Sequence, residues 1–242
     1  MPTPSPATVV DFLSVVMPAY NEAESIETVI LDHARLLREM ESVILRWEIV
    51  VVNDGSTDAT ESVLKSLGQR VPELRWVSQA NQGICGAVTR GYNQARGSHI
   101  YSTGSDGQWP VENLRTMFAK LAAGADLVIG IRTNRKAVYS PMRRFISVGF
   151  NLIPPLLFGV RVGDAGSVKL GKRDPFQYGL VSRSPFFEAE RIIRAHRDGF
   201  KIEYVPILFT TRTEGRATGA SWRNIRDSIR DVARCVATYG FR

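Results

Sequence analysis

The strongest constraint on the fold is a continuous apolar run, Glu48–Asn53, that ends abruptly in the polar turn Asp54–Asp58. A run without polar alternation is typical of a strand buried on both faces, as in a parallel sheet. A helical pattern follows from Ala59 to Leu67, and strand and helix patterns keep alternating through the first half of the chain. Strands separated by helices of about 10 to 15 residues indicate βαβ units. The sequence therefore predicts an α/β fold whose mostly parallel central sheet is flanked by helices.

The other predicted elements follow the same rhythm and become less regular in the second half. The predicted strands cover 12–17, 48–53, 74–78, 98–103, 126–130, 167–170 and 201–210. The predicted helices cover 25–37, 59–67, 86–96, 111–122, 187–197 and 222–239, and an amphipathic stretch covers 142–153. Residues 1–10 are predicted to form a disordered tail, and residues 11–242 a single domain that ends in an amphipathic helix.

Composition limits the classes of partner. The net charge of +7 indicates an anionic partner, but no run of five basic residues occurs, which disfavours nucleic acid. Cys85 and Cys235 have no metal-ligand partners at useful spacing, so free thiols in a reducing compartment are expected. The longest apolar stretch, 145–160, is interrupted by Asn151 and two prolines and is shorter than the roughly 20 residues of a spanning helix. We therefore expect a cytoplasmic protein that is soluble or lies on a membrane surface.

Two polar loops that follow predicted strands suggest a nucleotide site. In the first loop, Tyr20 is suited to stack on a base, and Glu22 to accept from its N–H; alternatively, the loop is only a polar turn. In the second, Asp54 is placed to accept from a base or ribose, as acidic residues at strand ends do in dinucleotide folds. The alternative for Asp54 is a turn that only shapes its loop. Either Ser56 or Thr57 is expected to cap the following helix.

Two further loops suggest a phosphate and metal site. Gly83 lies in a glycine-rich loop before a predicted helix, where a backbone can approach a phosphate closely. Asp106 and Gln108 offer the hard oxygen ligands that Mg²⁺ or Mn²⁺ accepts beside substrate phosphates. An Asp–Gly turn without a ligand is the alternative. The dinucleotide and P-loop glycine patterns are absent from the sequence, which disfavours those two folds.

In this order, the motifs resemble the family 2 glycosyltransferases, and within them the polyprenyl-phosphate branch that includes dolichol-phosphate mannose synthase. The matching segments are 15–22, 51–58, 81–97, 106–108, 129–132 and 164–167, followed by Glu190, 205–207 and Arg212. They span about residues 11 to 240. The resemblance implies a GT-A fold, a nucleotide-diphosphate sugar as donor, and Mg²⁺ or Mn²⁺ as cofactor.

The resemblance also implies roles for individual residues. The donor would be bound by Pro18, Ala19, Tyr20, Glu22, Asp54, Gly83 and Asp106. The metal would be held by Asp106 and Gln108. The family usually has Asp-x-Asp at 104–106, and the Gly104 of this chain therefore predicts weakened metal binding.

On the acceptor side, the resemblance implies that basic residues grip a polyprenyl phosphate. The candidates are Arg132, Arg143, Ser147 and Arg212. The catalytic residues would be Asp106, Arg132 and Arg212. The basic terminal helix predicts peripheral contact at the cytoplasmic face of a membrane; alternatively, this helix caps the core.

Three functions remain open at this point. The first is an inverting transfer of a hexose to dolichyl or undecaprenyl phosphate. The second is transfer to a soluble hydroxyl acceptor, which needs a carboxylate base such as Asp164 or Glu190. The third is a weakly active nucleotide-sugar-binding protein, because a carboxylate is missing at Gly104. The sugar, the nucleotide and the oligomeric state are not determined by the sequence.

Overall fold

The structure is a computed structural model that describes residues 9–133, 152–210 and 222–241, with only the backbone for 222–224. Within these ranges the strands are β1 (Val10–Ala19), β2 (Ile44–Asp54), β3 (Leu74–Gln79), β4 (His99–Ser102), β5 (Leu127–Arg132), β6 (Lys169–Lys172) and β7 (Ile202–Ile207). They form one sheet in the order β3-β2-β1-β4-β6-β5-β7. Only β6 among these strands is antiparallel to its neighbours, β4 and β5.

Helices cover both faces of the sheet. They are α1 (Ile26–Glu39), α2 (Thr60–Gly68), α3 (Gly83–Gln94), α4 (Asn113–Ala122), α5 (Phe187–Arg197) and α6 (Trp222–Tyr239). A 3₁₀ turn at Asp174–Gln177 and helical residues at 152–158 complete the described helical segments. The neighbouring residues Val15 and Val16 of β1 belong to two different buried clusters, since successive side chains of a strand point to opposite faces. One cluster packs against α1, α2 and α4, and the other against α3, α5 and α6.

The predicted α/β fold with a mostly parallel sheet is confirmed. The antiparallel direction of β6 was not foreseen. β1 begins at Val10, which is buried, whereas the rest of the predicted N-terminal tail up to residue 8 lies outside the described residues. Most of the amphipathic stretch 142–153 also lies outside them.

The terminal helix α6 packs against the body of the protein. Val232, Val236 and Tyr239 of its predicted apolar stripe contact the second buried cluster, as the core-capping alternative expects. Ile229 of the same stripe is 63% exposed. None of the described helices combines the length and the apolar character needed to cross a bilayer.

Candidate active site

The parallel strands β1, β2, β3 and β4 end at the same edge of the sheet, and hydrogen bonds connect the loops that follow them. We call these loops, 18–25, 54–58, 79–83 and 103–110, the loop edge. Asn21 connects the first two: its backbone N–H donates to Ser56 Oγ (3.0 Å), and its Oδ1 accepts from Thr57 N–H (2.8 Å). Asn21 has a φ of 55°, a left-handed conformation that Asn tolerates better than most residues.

The loop after β4 is joined to the loop after β1. Ser105 Oγ donates to the Pro18 carbonyl (2.8 Å), and Ser25 Oγ lies 2.9 Å from the Ser105 carbonyl oxygen. The same Ser25 hydroxyl lies 3.0 Å from Glu22 Oε2. Pro18, Glu22 and the loop that carries Asp106 are thereby brought together at one end of β1.

The start of α2 differs from the sequence-based expectation. Ser56 and Thr57 bind Asn21, and the N-cap position of α2 is Ala59, without a side-chain cap. Asp58 accepts from the first helical amide instead: its Oδ1 accepts from Thr60 N–H (3.0 Å) and its Oδ2 from Ala23 N–H (3.1 Å). Burial alone would raise the pKa of Asp58, but the hydrogen bonds from Thr60 and Ala23 lower it below its ordinary value. The predicted caps were wrong because both hydroxyl residues form hydrogen bonds with Asn21 of the neighbouring loop.

Asp54 is buried at the end of β2, with one of its oxygens committed to the protein. Its Oδ1 accepts from Gln79 Nε2 (2.7 Å) and from the backbone N–H of Gln82 (2.9 Å). Among the described residues, none donates to Oδ2. Asp54 therefore joins its loop to the loop 79–83, which differs from the local turn of the alternative, and it retains one acceptor oxygen for a ligand.

Gly83 and Tyr20 border the same edge. Gly83 begins α3 with a φ of 72°, in the left-handed region that favours glycine, and no atom lies within 4 Å of the place where a Cβ would stand. Tyr20 is 47% exposed, so its ring is accessible for stacking. Ala19 is buried beside it. The N-terminal amides of α3 are thus near a loop that a phosphate or ribose can approach.

Asp106 and Gln108 lie in a turn that is fastened to the end of β7. Gln108 N–H donates to Asp106 Oδ1 (3.2 Å), and Gln108 Nε2 donates to the Thr210 carbonyl (3.2 Å). Thr210 N–H returns a hydrogen bond to the Gln108 carbonyl (2.9 Å). Because the amide nitrogen is used internally, the amide oxygen is the atom of Gln108 suited to a cation.

The donor set here fits a divalent ion only in company with a substrate. The described residues contain no group of three or more His, Cys, Asp or Glu side chains able to hold a metal. Mg²⁺ is commonly bound by one or two carboxylates together with substrate phosphates and water. Asp106 and the Gln108 oxygen fit that pattern, with the donor diphosphate supplying the remaining ligands.

Gly104 is crowded by side chains. A Cβ at this position would lie 3.1 Å from Asp106 Oδ1 and 3.1 Å from Trp109 Cδ1. The Trp109 ring packs on Phe209, with 4.6 Å between centroids. An indole therefore covers the position where the family pattern usually has an aspartate.

Arg132 lies over the ring of Trp109 in a buried ion pair with Asp164. Arg132 Nε donates to Asp164 Oδ2 (2.7 Å) and Nη2 to Oδ1 (2.5 Å), while the side chains are only 9% and 4% exposed. The guanidinium carbon lies 5.4 Å from the Trp109 centroid and 5.3 Å from that of Phe209. Bidentate pairing and flanking rings fix the orientation of Arg132.

A buried charge cluster behind the site was missed from the sequence. Lys169 Nζ lies 2.9 Å from Glu188 Oε2 and donates to the carbonyls of Ala165 (2.6 Å) and Ser167 (2.9 Å). Tyr92 hydroxyl donates to Glu188 Oε1 (3.2 Å). Burial lowers the pKa of Lys169; burial would raise that of Glu188, but the charges of Lys169 and Arg191 lower it. This cluster holds the 164–167 loop, and no local pattern signals it because its residues are distant in sequence.

Two carboxylates in the second half of the chain accept hydrogen bonds from four consecutive backbone amides. We call this arrangement the rear clamp. Glu190 accepts from the N–H groups of Val181 (2.9 Å) and Ser182 (2.8 Å), and Asp231 from those of Arg183 (2.8 Å) and Ser184 (2.7 Å). Tyr239 hydroxyl also donates to Glu190 (2.7 Å). Glu190 is fully buried. With these three donors on its carboxylate, Glu190 is poorly suited to serve as the base that a hydroxyl acceptor needs.

The cysteines show no sign of reactivity. Cys85 and Cys235 are free, as expected, and lie on either side of Ser182. Burial raises the pKa of Cys85 to about 11 and that of Cys235 to about 12. Both thiols therefore stay protonated near neutral pH.

Three predicted acceptor residues cannot be placed. Arg143, Ser147 and Arg212 lie outside the described residues. Their roles stay predictions. Arg132 is the one residue of that group with a described position.

The chain is similar to known sugar transferases. Dolichyl-phosphate beta-glucosyltransferase of Trichomonas vaginalis is 29% identical over 216 residues, which cover 84% of this chain. The chain spans 66% of that relative, just under two thirds of its length. Undecaprenyl-phosphate 4-deoxy-4-formamido-L-arabinose transferase of Salmonella choleraesuis is 30% identical over 235 residues, or 95% of this chain and 69% of the relative.

A solved structure supports the fold. Glucosyl-3-phosphoglycerate synthase of Mycobacterium tuberculosis, in complex with Mn²⁺, uridine diphosphate and phosphoglyceric acid, superposes with a TM-score of 0.66 at 20% identity. The match covers 98% of this chain and 80% of that one and confirms the GT-A fold. The model of the family described as "Glycosyl transferase family 2" matches residues 14–179, well over half of the chain. This chain therefore belongs to glycosyl transferase family 2.

Proposed function

We propose that the protein transfers a hexose from a nucleotide-diphosphate sugar to a polyprenyl phosphate, such as dolichyl or undecaprenyl phosphate. Family membership supports the sugar transfer. Two relatives at about 30% identity carry names that specify these two lipid phosphates. The observation that carries the proposal is the state of the two candidate bases, Asp164 and Glu190.

A hydroxyl acceptor needs a base, and neither of these carboxylates is suited to that task. Both oxygens of Asp164 accept from Arg132, and Glu190 accepts from two backbone amides and a tyrosine hydroxyl. A phosphate monoester has a second pKa of about 6 and is already anionic near pH 7. It therefore attacks without a base, and the geometry favours it over a hydroxyl.

The loop edge would hold the donor. In this proposal Tyr20 stacks on the base, Asp54 Oδ2 accepts from a base N–H, and Pro18, Ala19 and Glu22 line the same end. Gly83 lets the start of α3 approach the ribose or diphosphate. Holding the donor in one orientation lowers the barrier because the positional entropy is lost on binding, before the reaction.

Asp106 and the amide oxygen of Gln108 would hold the divalent ion, which would neutralise charge on the departing diphosphate. A phosphate oxygen of the acceptor forms the new bond to the anomeric carbon, and the bond from that carbon to the donor diphosphate breaks with inversion. Arg132, fixed by Asp164, stabilises phosphate charge in this step. Arg143, Ser147 and Arg212 remain proposed partners of the acceptor phosphate.

A paired-acceptor assay tests this function. The protein is incubated with UDP-glucose, GDP-mannose or UDP-N-acetylglucosamine and Mg²⁺ or Mn²⁺, with either polyprenyl phosphate or the matching polyprenol. We expect lipid-linked sugar from the phosphate and none from the alcohol. Equal transfer to polyprenol, or transfer only to soluble hydroxyl acceptors, would overturn the phosphate proposal. Donor binding without any transfer would indicate the binding-protein alternative.

We also propose peripheral contact with the cytoplasmic face of a membrane, where such an acceptor resides. Leu152 and Leu156 are 54% and 76% exposed at a spacing of four residues, which places them on one side of a helical turn. Arg226 and Arg230 lie exposed on α6 beside Ile229.

In vesicle flotation with anionic lipid, Leu156→Asn should reduce binding of the protein to the vesicles. Leu45→Asn, at a 58% exposed position on the amino end of β2, should not; equal effects would contradict the proposed surface.

A further inference from the structure

We propose that Gly104 and Trp109 form one unit in which the indole replaces the side chain of position 104 and fixes a cation site of a single carboxylate. This inference deepens the proposed function, because it rests on a nucleotide sugar bound with a divalent ion. It assigns a positioning role to Trp109, which no motif covers.

The first observation is the space around Gly104. A Cβ there would lie 3.1 Å from Trp109 Cδ1, 3.2 Å from Trp109 Nε1 and 3.1 Å from Asp106 Oδ1. Gly104 is not among the residues with positive φ, so its backbone does not demand glycine. Its neighbours limit the space, since a Cβ at these distances would require the indole or the carboxylate to shift by a few tenths of an ångström.

The second observation is that the indole packs against two further groups. Trp109 packs on Phe209 (4.6 Å between centroids), and the Arg132 guanidinium lies within 5.4 Å of both rings. Arg132 is in turn paired with Asp164. These contacts hold Trp109, which connects the loop of Asp106 to the arginine proposed to bind phosphate.

The consequence is specific to this chain. An aspartate introduced at 104 would meet the indole before it reached a cation, so it would add no ligand while Trp109 is present. Once the indole is removed, the same aspartate has space beside Asp106. The two positions should therefore be energetically coupled in cation binding.

A double-mutant cycle tests the coupling. Mn²⁺ affinity is measured by electron paramagnetic resonance with UDP or GDP at fixed concentration and no acceptor, for the wild type, Gly104→Asp, Trp109→Ala and the double variant. We expect Gly104→Asp to change the affinity less than 2-fold in the wild-type background and to tighten it about 10-fold with Trp109→Ala. The same factor in both backgrounds, or no Mn²⁺ bound by any of the four proteins, would overturn the proposal.

Two controls separate this test from folding and from the acceptor. Circular dichroism and thermal unfolding verify each variant, and Trp109→Leu replaces Trp109→Ala if the latter does not fold. Trp109→Phe keeps a ring over Gly104 and should leave the Gly104→Asp effect near the wild-type value. Because no acceptor is present, failure of lipid-phosphate transfer leaves the result interpretable.

Discussion

At the loop edge, one oxygen of Asp54 accepts hydrogen bonds from Gln79 and Gln82, and the other has no donor among the described residues. In the rear clamp, by contrast, Glu190 and Asp231 each accept from a pair of backbone amides. The two regions use the same chemical group in the same type of contact. They differ in whether a carboxylate oxygen remains available to bind a ligand. Acidic residues at the loop edge should therefore govern activity, and acidic residues of the rear clamp should govern stability.

The largest effect should come from Asp106→Asn, which removes the carboxylate proposed to hold the cation while keeping the side-chain shape. We expect kcat to fall about 10²- to 10³-fold, with a change of less than about 0.5 kcal/mol in the free energy of unfolding. Steady-state kinetics and urea unfolding measure both. Unchanged turnover would place the catalytic cation elsewhere.

Glu190→Gln tests the opposite half of the comparison. It replaces one acceptor oxygen by a donor facing a backbone N–H, so a buried amide loses its partner. We expect a loss of about 2 to 3 kcal/mol in the free energy of unfolding, and near wild-type kcat in the fraction that remains folded. A large loss of kcat in a variant of unchanged stability would show that Glu190 takes part in catalysis.

Asp54→Asn should weaken donor binding by an intermediate amount and leave the other properties of the protein unchanged. The variant keeps one oxygen for Gln79 and Gln82 and turns the other atom into a donor, so a base N–H loses its acceptor. We expect about 10-fold weaker donor binding by calorimetry, as one lost hydrogen bond implies. Wild-type affinity in Asp54→Asn would reduce Asp54 to a loop-shaping residue.

The smallest effect concerns pH and the rear clamp. Burial would raise the pKa of Asp231, but hydrogen bonds from Ser184, Arg183 and Arg234 lower it below its ordinary value. Because the folded pKa is depressed, the stabilisation is fully present above the unfolded pKa of about 4 and is lost as pH falls through the folded pKa. The difference in melting temperature between wild type and Asp231→Asn should shrink from pH 5 to pH 3. A constant difference would show that the charge is irrelevant.

The sequence predicted the elements because their signals are local. Periodicity placed α5 and α6 at their observed ends, and buried apolar runs placed β1 and β2. Because open α/β sheets bind ligands at the carboxyl ends of their strands, the sequence also pointed to the polar loops that follow the predicted strands.

What the sequence did not reveal depends on residues far apart in the chain. The pairing of Arg132 with Asp164, the capture of Ser56 and Thr57 by Asn21, and the indole over Gly104 all arise from packing between separate loops. The direction of β6 could not be inferred because the pattern of a strand of four residues, Lys169–Lys172, does not indicate which way the strand runs.

The position of β6 has a consequence for how the protein folds. Strands β1, β2 and β3 pair through short βα connections, but β4 and β5 share no ladder and meet only through β6, which arrives after both. Pairings of large sequence separation form slowly because the chain must close long loops first. Refolding should therefore occur in two stages: early protection of the β1–β3 amides from hydrogen exchange, and later protection of β5, β6 and β7.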